Sequence, residues 1–305
     1  TAKTYDVFTD SYGYRVSAKN IGIKKETDNS VVILGDSYPY GFGLNYEFST
    51  FGLLENKNKD YNFYNLSVPG YSPLILKFKL EQLLKLGIKP KKIFYLMDFT
   101  DVYEEANAWL KKKEFDYPVI SDEKRHEEVK KIFNFKNNFK ITRLLAYNLN
   151  KLIRDTRKEL NQRKFETVDK HIGPTSWAKF TYTPFDELDK TFWSKNNFLI
   201  GVDNIKINVK EISDIAKKIS SEFYIVIYPW PETLEYGEKY FSWQKLGKDV
   251  CYLSNCTKLI NTFPEFHEIK NKFSYWKKEI YILQDIHLNK KGHQILANTI
   301  NKKAF

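Results

Sequence analysis

The sequence predicts an α/β fold in which a central parallel sheet is covered by helices on both faces. Short apolar runs, rich in β-branched and aromatic residues, recur along the chain, and each is followed by turn-forming residues. Segments of helical periodicity separate these runs, and such alternation is typical of parallel sheets. The 305 residues, 42% of them hydrophobic, are enough for one large core. The runs that predict strands are residues 31–34, 63–68, 93–97, 223–228 and 280–283.

The segments between the strands carry the apolar spacing of helices. Residues 74–86 and 205–219 place an apolar side chain at every third or fourth position, and helices are also expected over residues 46–56 and from about Asn289 onward. Each predicted strand is therefore connected to the next by a segment that can cover the sheet.

Residues 104–197 break this rhythm, because they contain no convincing buried strand. They hold Lys- and Glu-rich amphipathic helices, the clearest being "FKITRLLAYNLNKLIRDTRKEL". Its apolar stripe consists of Ile141, Leu144, Leu145, Leu149, Leu152 and Ile153. We predict an N-terminal leader (1–27) packed on a core (28–104 and 200–305), and a mainly helical insertion (105–199).

Charge and cysteine content limit the classes of function. The formal net charge of +11, from 49 basic and 38 acidic residues, is spread along the chain, so nucleic-acid binding is not expected. A surface adapted to an anionic polymer or a membrane face stays open as the alternative. No apolar stretch approaches the length of a membrane span. Cys251 and Cys256 either close one small loop or are two buried thiols.

The turn after the first predicted strand presents a serine. Ser37 follows "VVILGD" at the carboxyl end of a parallel strand, the edge at which open α/β sheets bind their ligands. Its N–H and the start of the next helix would face any negative charge that develops there. A serine is inert without a base, so this interpretation depends on a histidine.

The most informative histidine is His287, in "YILQDIHLNKKGHQILANTI" (281–300). Asp285 stands two residues before it, and a carboxylate there can hold the imidazole in the tautomer that accepts the serine proton. His293 lies off the apolar face of the following helix, which predicts a helix-surface or packing residue. Polar or irregular segments hold the other histidines, His126, His171 and His267. Each motif alone is also explained as an ordinary turn or helix cap.

Three separated blocks together match a family pattern. "GDSYPYGFG", "NLSVPGYSP" and "DIHLNKKGH" resemble, in order and rough spacing, the blocks of the SGNH, or GDSL-type, serine esterases and acyltransferases. The resemblance covers residues 28–104 and 200–305. It implies a flavodoxin-like α/β/α sandwich with a triad of Ser37, His287 and Asp285, and an oxyanion hole that includes the N–H groups of Ser37 and Gly70.

One block departs from the family. "FYLMDFTDVYEEA" places Thr100 where the family has the asparagine that completes the oxyanion hole. A threonine side chain is shorter than that of asparagine, and its hydroxyl donates a single hydrogen bond. An ionised Asp98 donates none. Because loss of one oxyanion donor lowers the rate about 100- to 1000-fold, either activity is reduced or another donor replaces the missing one.

The resemblance implies a serine-dependent ester hydrolase or O-acyltransferase that acts through an acyl-enzyme. Its expected substrate is an acylated carbohydrate or cell-surface glycan, and acetyl is the first expectation for the acyl group. Asp36, Tyr38, Asp98 and Trp230 are the candidate substrate-binding residues, with packing as the alternative for each aromatic ring. The alternative function is a weakly active or inactive glycan-binding module of the same fold.

Location and partners follow from the same resemblance. The N-terminal "TYDVFTDSYGYRV" resembles the leader of members that modify cell-surface polysaccharides, so we expect a periplasmic or extracellular protein of the cell envelope. Because the sequence starts at Thr1, we expect a signal or anchor segment to have been removed. A membrane-anchored acyl donor is a conceivable partner. No cofactor or metal is expected, since only His287 and His293 come near ligand spacing and they suit one metal centre poorly.

Overall fold

The structure is a computed structural model, and it describes residues 5–21, 29–110, 119–120, 177–188, 190, 193–283 and 285–305. The chain divides into two compact units, Thr1–Val119 with Thr175–Phe305, and Ile120–Pro174. Apart from the short strand that ends at Ile120, the features below belong to the first unit. The amphipathic stripe predicted within residues 141–153 lies outside the described residues.

A five-stranded parallel sheet forms the centre of the first unit. The strands of the described residues, including those outside this sheet, are β1 (Phe8–Thr9), β2 (Arg15–Val16), β3 (Ser30–Gly35), β4 (Asn62–Asn65), β5 (Lys92–Met97), β6 (Trp109–Leu110), β7 (Val119–Ile120), β8 (Glu222–Ile227) and β9 (Lys258–Asn261). The central sheet has the order β4-β3-β5-β8-β9, and its pairings are all parallel. Residues of β3 and β5 are buried along their whole length, as expected of strands covered on both faces. The predicted α/β fold with a central parallel sheet is confirmed.

The fifth predicted strand was wrong. Residues 280–283 lie at the end of a short helix and form one isolated bridge, between Tyr281 and Leu288. The fifth strand of the sheet is β9, which sequence reasoning missed. Only Ile260 is fully buried among its four residues, because an edge strand packs on fewer neighbours, so its apolar signal is weak.

Helices flank the sheet. They are α1 (Ser37–Tyr40), α2 (Thr50–Lys57), α3 (Pro73–Lys85), α4 (Asp101–Tyr103), α5 (Lys195–Lys218), α6 (Pro231–Tyr236), α7 (Trp243–Ser254), α8 (Phe263–Lys272), α9 (Trp276–Ile280) and α10 (Lys290–Ala304). Helix α5 packs on α3 and α7, and α10 packs on α2. The helices predicted over 46–56, 74–86, 205–219 and from Asn289 are confirmed, the first being preceded by a 3₁₀ turn at Tyr46–Phe48.

The strand order fixes where a site can form. The order reverses direction between β3 and β5, and in open parallel sheets the crevice outside the carboxyl ends of such strands is where ligands bind. Ser37 follows β3, Gly70 follows β4, and Thr100 follows β5, so the three residues of the predicted oxyanion hole share this edge.

A disulfide closes a short loop at the end of α7. Cys251 and Cys256 form a disulfide across the end of α7, where Asn255 adopts the left-handed conformation and the N–H of Cys256 donates to the carbonyl of Cys251 at 2.9 Å. Within the described part of the chain, no helix has the length and apolar content needed to cross a membrane.

Candidate active site

The Gly-Asp-Ser turn places Ser37 at the first residue of α1, where it is partly exposed. Gly35 makes this turn possible. Its φ is +155°, and a Cβ at this position would lie 2.5 Å from Cγ of Pro39 and 3.0 Å from the carbonyl oxygen of Leu96. Any larger residue would push the helix start away from the sheet, so the glycine holds the serine close to the end of β3.

The segment after Ser37 is held by a buried arginine. Arg15 in β2 is 2% exposed, and its guanidinium donates to the carbonyls of Tyr40, Gly41 and Leu44. It also lies over the ring of Tyr40, 4.5 Å from the centroid. The leader segment therefore fixes the loop that carries Phe42 towards the histidine.

His287 lies on a short loop between α9 and α10 that is tied to the rest of the site. The Tyr281 hydroxyl donates to the carbonyl of Pro229 at 2.9 Å, at the end of β8. The Tyr38 hydroxyl, one residue after Ser37, donates to the carbonyl of Ile286. The imidazole lies between two rings, with centroids 4.6 Å from Phe42 and 5.5 Å from Tyr38. The loop is thus held against the helix that begins at the serine.

Asp285 and His287 are directly paired. The imidazole Nδ1 donates to Oδ1 of Asp285 at 2.6 Å, and the His287 main-chain N–H donates to the same oxygen at 3.0 Å. Burial alone would raise the pKa of Asp285, but the hydrogen bonds and the charge of His287 outweigh it and lower that pKa. With Nδ1 as the donor, Nε2 is the nitrogen left to accept a proton.

The serine and the imidazole are not hydrogen-bonded. Nε2 of His287 is buried and has no hydrogen-bond partner among the described residues, so it does not contact the Ser37 hydroxyl at bonding distance. Catalytic hydrogen bonds are often long before substrate binds. The structure therefore pairs the predicted acid with the predicted base and brings both to the edge of the sheet that holds Ser37. The hydrogen bond between Nε2 of His287 and the Ser37 hydroxyl is not formed.

The donors predicted for an oxyanion converge on Asp36. The Gly70 N–H donates to Oδ1 of Asp36, and the Thr100 hydroxyl lies 2.9 Å from Oδ2 of Asp36 and 3.0 Å from Oδ1 of Asp98. Gly70 has a φ of +83°, which favours glycine and aims its N–H at this carboxylate. Both groups are already engaged by the protein's own acids in this conformation.

An acidic cluster surrounds these donors, formed by Asp36, Asp98, Asp101, Glu104 and Glu105. Burial, and next the charge of Asp98, raises the pKa of Asp36 to about 7. Burial, and next the charges of Asp36 and Asp98, raises the pKa of Glu104 to about 9. Burial also raises the pKa of Asp98, Asp101 and Glu105. Like charges this close cannot all ionise, so the cluster holds protons at neutral pH.

Most members of the cluster have structural partners. Oδ2 of Asp101 accepts from the Tyr95 hydroxyl at 2.5 Å. Oε1 of Glu105 accepts from the Leu74 N–H at 2.7 Å and so caps the start of α3, while its Oε2 accepts from Asn208 at 2.6 Å.

The predicted substrate-binding side chains are buried. Tyr38 and Trp230 are each 1% exposed, and Asp98 and Asp36 are 0% and 4% exposed. Tyr38 stacks on Tyr228 at 4.5 Å between centroids, and the Tyr228 hydroxyl donates to Asp98. In this conformation these rings offer no open face on which a sugar could stack.

His293 is a packing residue, although it is not on the surface as one alternative had it. It is buried, and its Nδ1 accepts the Thr50 N–H at 3.1 Å, which joins α10 to the start of α2. Burial lowers the pKa of His293 to about 3, so the ring is neutral and can accept that bond.

Sequence reasoning missed Glu104. The signal was present, because Asp101, Glu104 and Glu105 recur at the spacing that places side chains on one helix face. An acidic helix face is usually solvated, and nothing in the sequence showed that this one packs behind Gly70. Arg15 was missed for the same reason, since the carbonyls it binds carry no sequence signal.

Solved structures resemble most of the chain. A catalytic mutant of Axe2, an acetylxylan esterase from Geobacillus stearothermophilus, matches with a TM-score of 0.51 at 11% identity over 93% of this chain and 97% of its own. A member of the lipolytic G-D-S-L family from Veillonella parvula matches at 0.47, with 10% identity over 90% and 96%. The psychrotrophic esterase EstA from Pseudoalteromonas sp. matches at 0.46, with 13% identity over 90% and 96%. The likeness to Axe2 shows the SGNH hydrolase-type fold, as the sequence blocks predicted.

Comparisons of sequence give a family. No curated protein sequence matches the chain. A family model described as "Protein of unknown function (DUF1574)" matches residues 15–171, more than half of the chain, from Arg15 through the serine turn, Gly70 and the acidic cluster beyond Thr100. This chain, whose fold is of the SGNH hydrolase type, therefore belongs to the DUF1574 family.

Proposed function

We propose that the protein is a serine-dependent ester hydrolase or O-acyltransferase that acts through an acyl-enzyme. The observation that carries the proposal is the Asp285–His287 pair, bonded at 2.6 Å with Nε2 of the imidazole left unpartnered beside the helix that begins at Ser37. A carboxylate-held imidazole with a vacant acceptor nitrogen, next to a serine at a helix start, is what nucleophilic acyl transfer requires.

The reaction follows in two halves. Oγ of Ser37 attacks the ester carbonyl as its proton passes to Nε2 of His287, and the imidazolium then gives that proton to the departing alcohol. In the second half, His287 takes a proton from water or from a sugar hydroxyl, which attacks the acyl-enzyme and frees Ser37. Water as the acceptor makes the protein an esterase, and a sugar hydroxyl makes it an acyltransferase.

The substrate and the setting are parts of the same proposal. The resemblance of the three sequence blocks supports an acetylated carbohydrate of the cell envelope, with the Axe2 title naming such a substrate for that protein alone. The Cys251–Cys256 disulfide supports an oxidising compartment, outside the cytoplasm. For a transferase, an acyl donor has to be supplied, and a membrane-anchored partner is the source we propose.

The experiment is labelling with a fluorophosphonate probe, followed by location of the adduct by mass spectrometry. We expect one adduct, on Ser37, and a burst of product when the parent protein meets an activated acetyl ester. Ser37→Ala should abolish both, while Ser274→Ala, which removes an exposed serine, should change neither. A parent protein that gives no burst, or a burst that survives Ser37→Ala, would reject the nucleophile.

A second candidate, a glycan-binding module without turnover, is favoured by one observation. The Thr100 hydroxyl is engaged by Asp36 and Asp98 instead of being left for a substrate. Glycan affinity that persists in Ser37→Ala, together with a parent that never labels, would support this second candidate.

A further inference from the structure

The proposed reaction leaves the oxyanion with too few donors. The Gly70 N–H and the Thr100 hydroxyl both donate to carboxylates of the protein in this conformation. The residue that stands at the asparagine position of related enzymes, Thr100, has one proton to donate, and it lies between two acidic side chains. Either the oxyanion is weakly stabilised and the reaction is slow, or a further hydrogen-bond donor lies beside Gly70.

Glu104 occupies that place. Its main-chain N–H donates to the carbonyl of Thr100 at 3.0 Å, so the two residues are one helical turn apart on the same face. A helical side chain points back over the turn that precedes it, which directs Glu104 towards Thr100. Oε1 of Glu104 lies 3.9 Å from where a Cβ on Gly70 would stand. The carboxyl group therefore lies beside Gly70, at the edge that holds Ser37.

The side chain of Glu104 is not explained by packing. Glu105, its neighbour, uses both carboxylate oxygens to hold α3 and α5, and Asp101 accepts from Tyr95. Oε2 of Glu104 is buried and has no hydrogen-bond partner among the described residues. A buried carboxyl oxygen without a partner costs stability, and such a cost is retained in proteins where function needs it.

We propose that Glu104 is a catalytic residue that, as a neutral carboxylic acid, donates a hydrogen bond to the oxyanion formed when Ser37 attacks its ester. This inference rests on the proposed function. The O–H of Glu104 takes the role that an asparagine N–H has in related enzymes, and no proton is transferred: the acid donates as the oxyanion forms and is unchanged when it collapses.

The charges around Glu104 keep it neutral. Asp36 faces it from the turn after β3 and Asp98 from the end of β5. Asp101 faces it from α4, and Glu105 is the next residue in the chain. The imidazole of His287 acts on Asp98, and the ammonium of Lys77 in α3 acts on Glu105. Burial and these carboxylates raise the pKa of Glu104 to about 9, so it carries its proton at neutral pH. A buried carboxylic acid held neutral so that it can donate to an oxyanion is an established catalytic device.

The test compares Glu104→Gln, Glu104→Ala and the exposed control Glu187→Gln, with Ser37→Ala rates subtracted at every pH. Glutamine keeps a neutral donor, so we expect Glu104→Gln to retain the activity of the parent protein, whereas Glu104→Ala should lose about 100-fold or more in kcat/KM. The parent and Glu187→Gln should lose activity above about pH 9 as Glu104 ionises, and Glu104→Gln should not. Circular dichroism at each pH separates this role from a merely structural one, in which the alkaline loss of activity would follow a loss of folded protein.

Failures of the two proposals are distinguishable. A parent with Ser37-dependent turnover, in which Glu104→Ala is as active as the parent or Glu104→Gln keeps the alkaline loss, would overturn the role of Glu104 alone. A parent without such turnover would overturn the proposed function and this role with it. Should Glu104→Ala not fold, the pH profiles of the parent and Glu104→Gln decide. Infrared difference spectra of the parent against Glu104→Gln at neutral pH should show the carbonyl stretch of a protonated acid, and its absence would also overturn the proposal.

Discussion

Replacing Glu104 with glutamine should flatten the dependence of folding stability on pH. Asp36 and Glu104 have raised pKa values in the folded protein, about 7 against 3.8 and about 9 against 4.5. For an acid with a raised folded pKa, the folded state binds the proton more tightly than the unfolded state does. Its stabilisation is therefore complete below the unfolded pKa and is lost as pH rises towards the folded pKa.

The slope can be estimated from these values. Each carboxyl that is protonated when folded and ionised when unfolded lowers the free energy of unfolding by ~1.4 kcal/mol per pH unit. Between about pH 5 and about pH 7 both Asp36 and Glu104 meet this condition, so together they contribute roughly 3 kcal/mol per unit. Glu104→Gln removes one of the two, and should remove about half of that contribution.

The assay is urea unfolding of the parent and Glu104→Gln, at pH values that span about 5 to 9. Other ionisable groups are common to both proteins, so the difference between the two curves reports the carboxyl of Glu104 together with its coupling to Asp36 and Asp98. Glu187→Gln, which removes an exposed carboxyl outside the cluster, should follow the parent. Equal slopes for the parent and Glu104→Gln would refute the assignment of a buried, protonated Glu104.

Three further changes test other parts of the site. Arg15→Met removes three hydrogen bonds to main-chain carbonyls, so the free energy of unfolding by urea should fall by about 3 kcal/mol or more. Lys19→Met, at an exposed position, should change it little, and an equally small change for Arg15→Met would show that Arg15 does not hold the loop after Ser37. Gly292→Ala would place a Cβ 2.2 Å from the carbonyl oxygen of Ile280, so we expect a lower melting temperature and weaker fluorophosphonate labelling. Values equal to those of the parent protein would show that α10 can shift without cost. Under the proposed function, Asp285→Asn should lower kcat on an activated ester by about 10⁴-fold, because the imidazole loses the partner that fixes its tautomer. A change below about tenfold would remove Asp285 from the proposed triad.

The parts of the fold that the sequence predicted are those set by local patterns. Strand β3 and its Gly-Asp-Ser turn were predictable because six buried residues end at a glycine that no other residue can replace. Strand β9 was not, because an edge strand with a single fully buried residue has almost no apolar signal. The loop of His287 was placed at the right edge of the sheet for a wrong reason, since a helix end and one bridge take the place of the predicted strand.

The electrostatics of the site were beyond sequence reasoning. Thr100 was found at an unusual position, but its two carboxylate partners depend on how three strand ends approach one another. The pKa of Glu104 depends on burial behind Gly70, and burial is a property of the assembled fold. Residue types and spacing therefore predicted the Asp285–His287 pair, while the partners of Thr100 and the protonation states of the acids required the packing.

The hydrogen bond from Tyr38 to Ile286 joins residues that are 248 positions apart. Ser37 and His287 thus come from distant parts of the chain, and no fragment that stops short of residue 287 holds both. Under the proposed function, a proteolytic cut anywhere between the two residues that releases the serine from the imidazole should leave both pieces chemically inert towards esters.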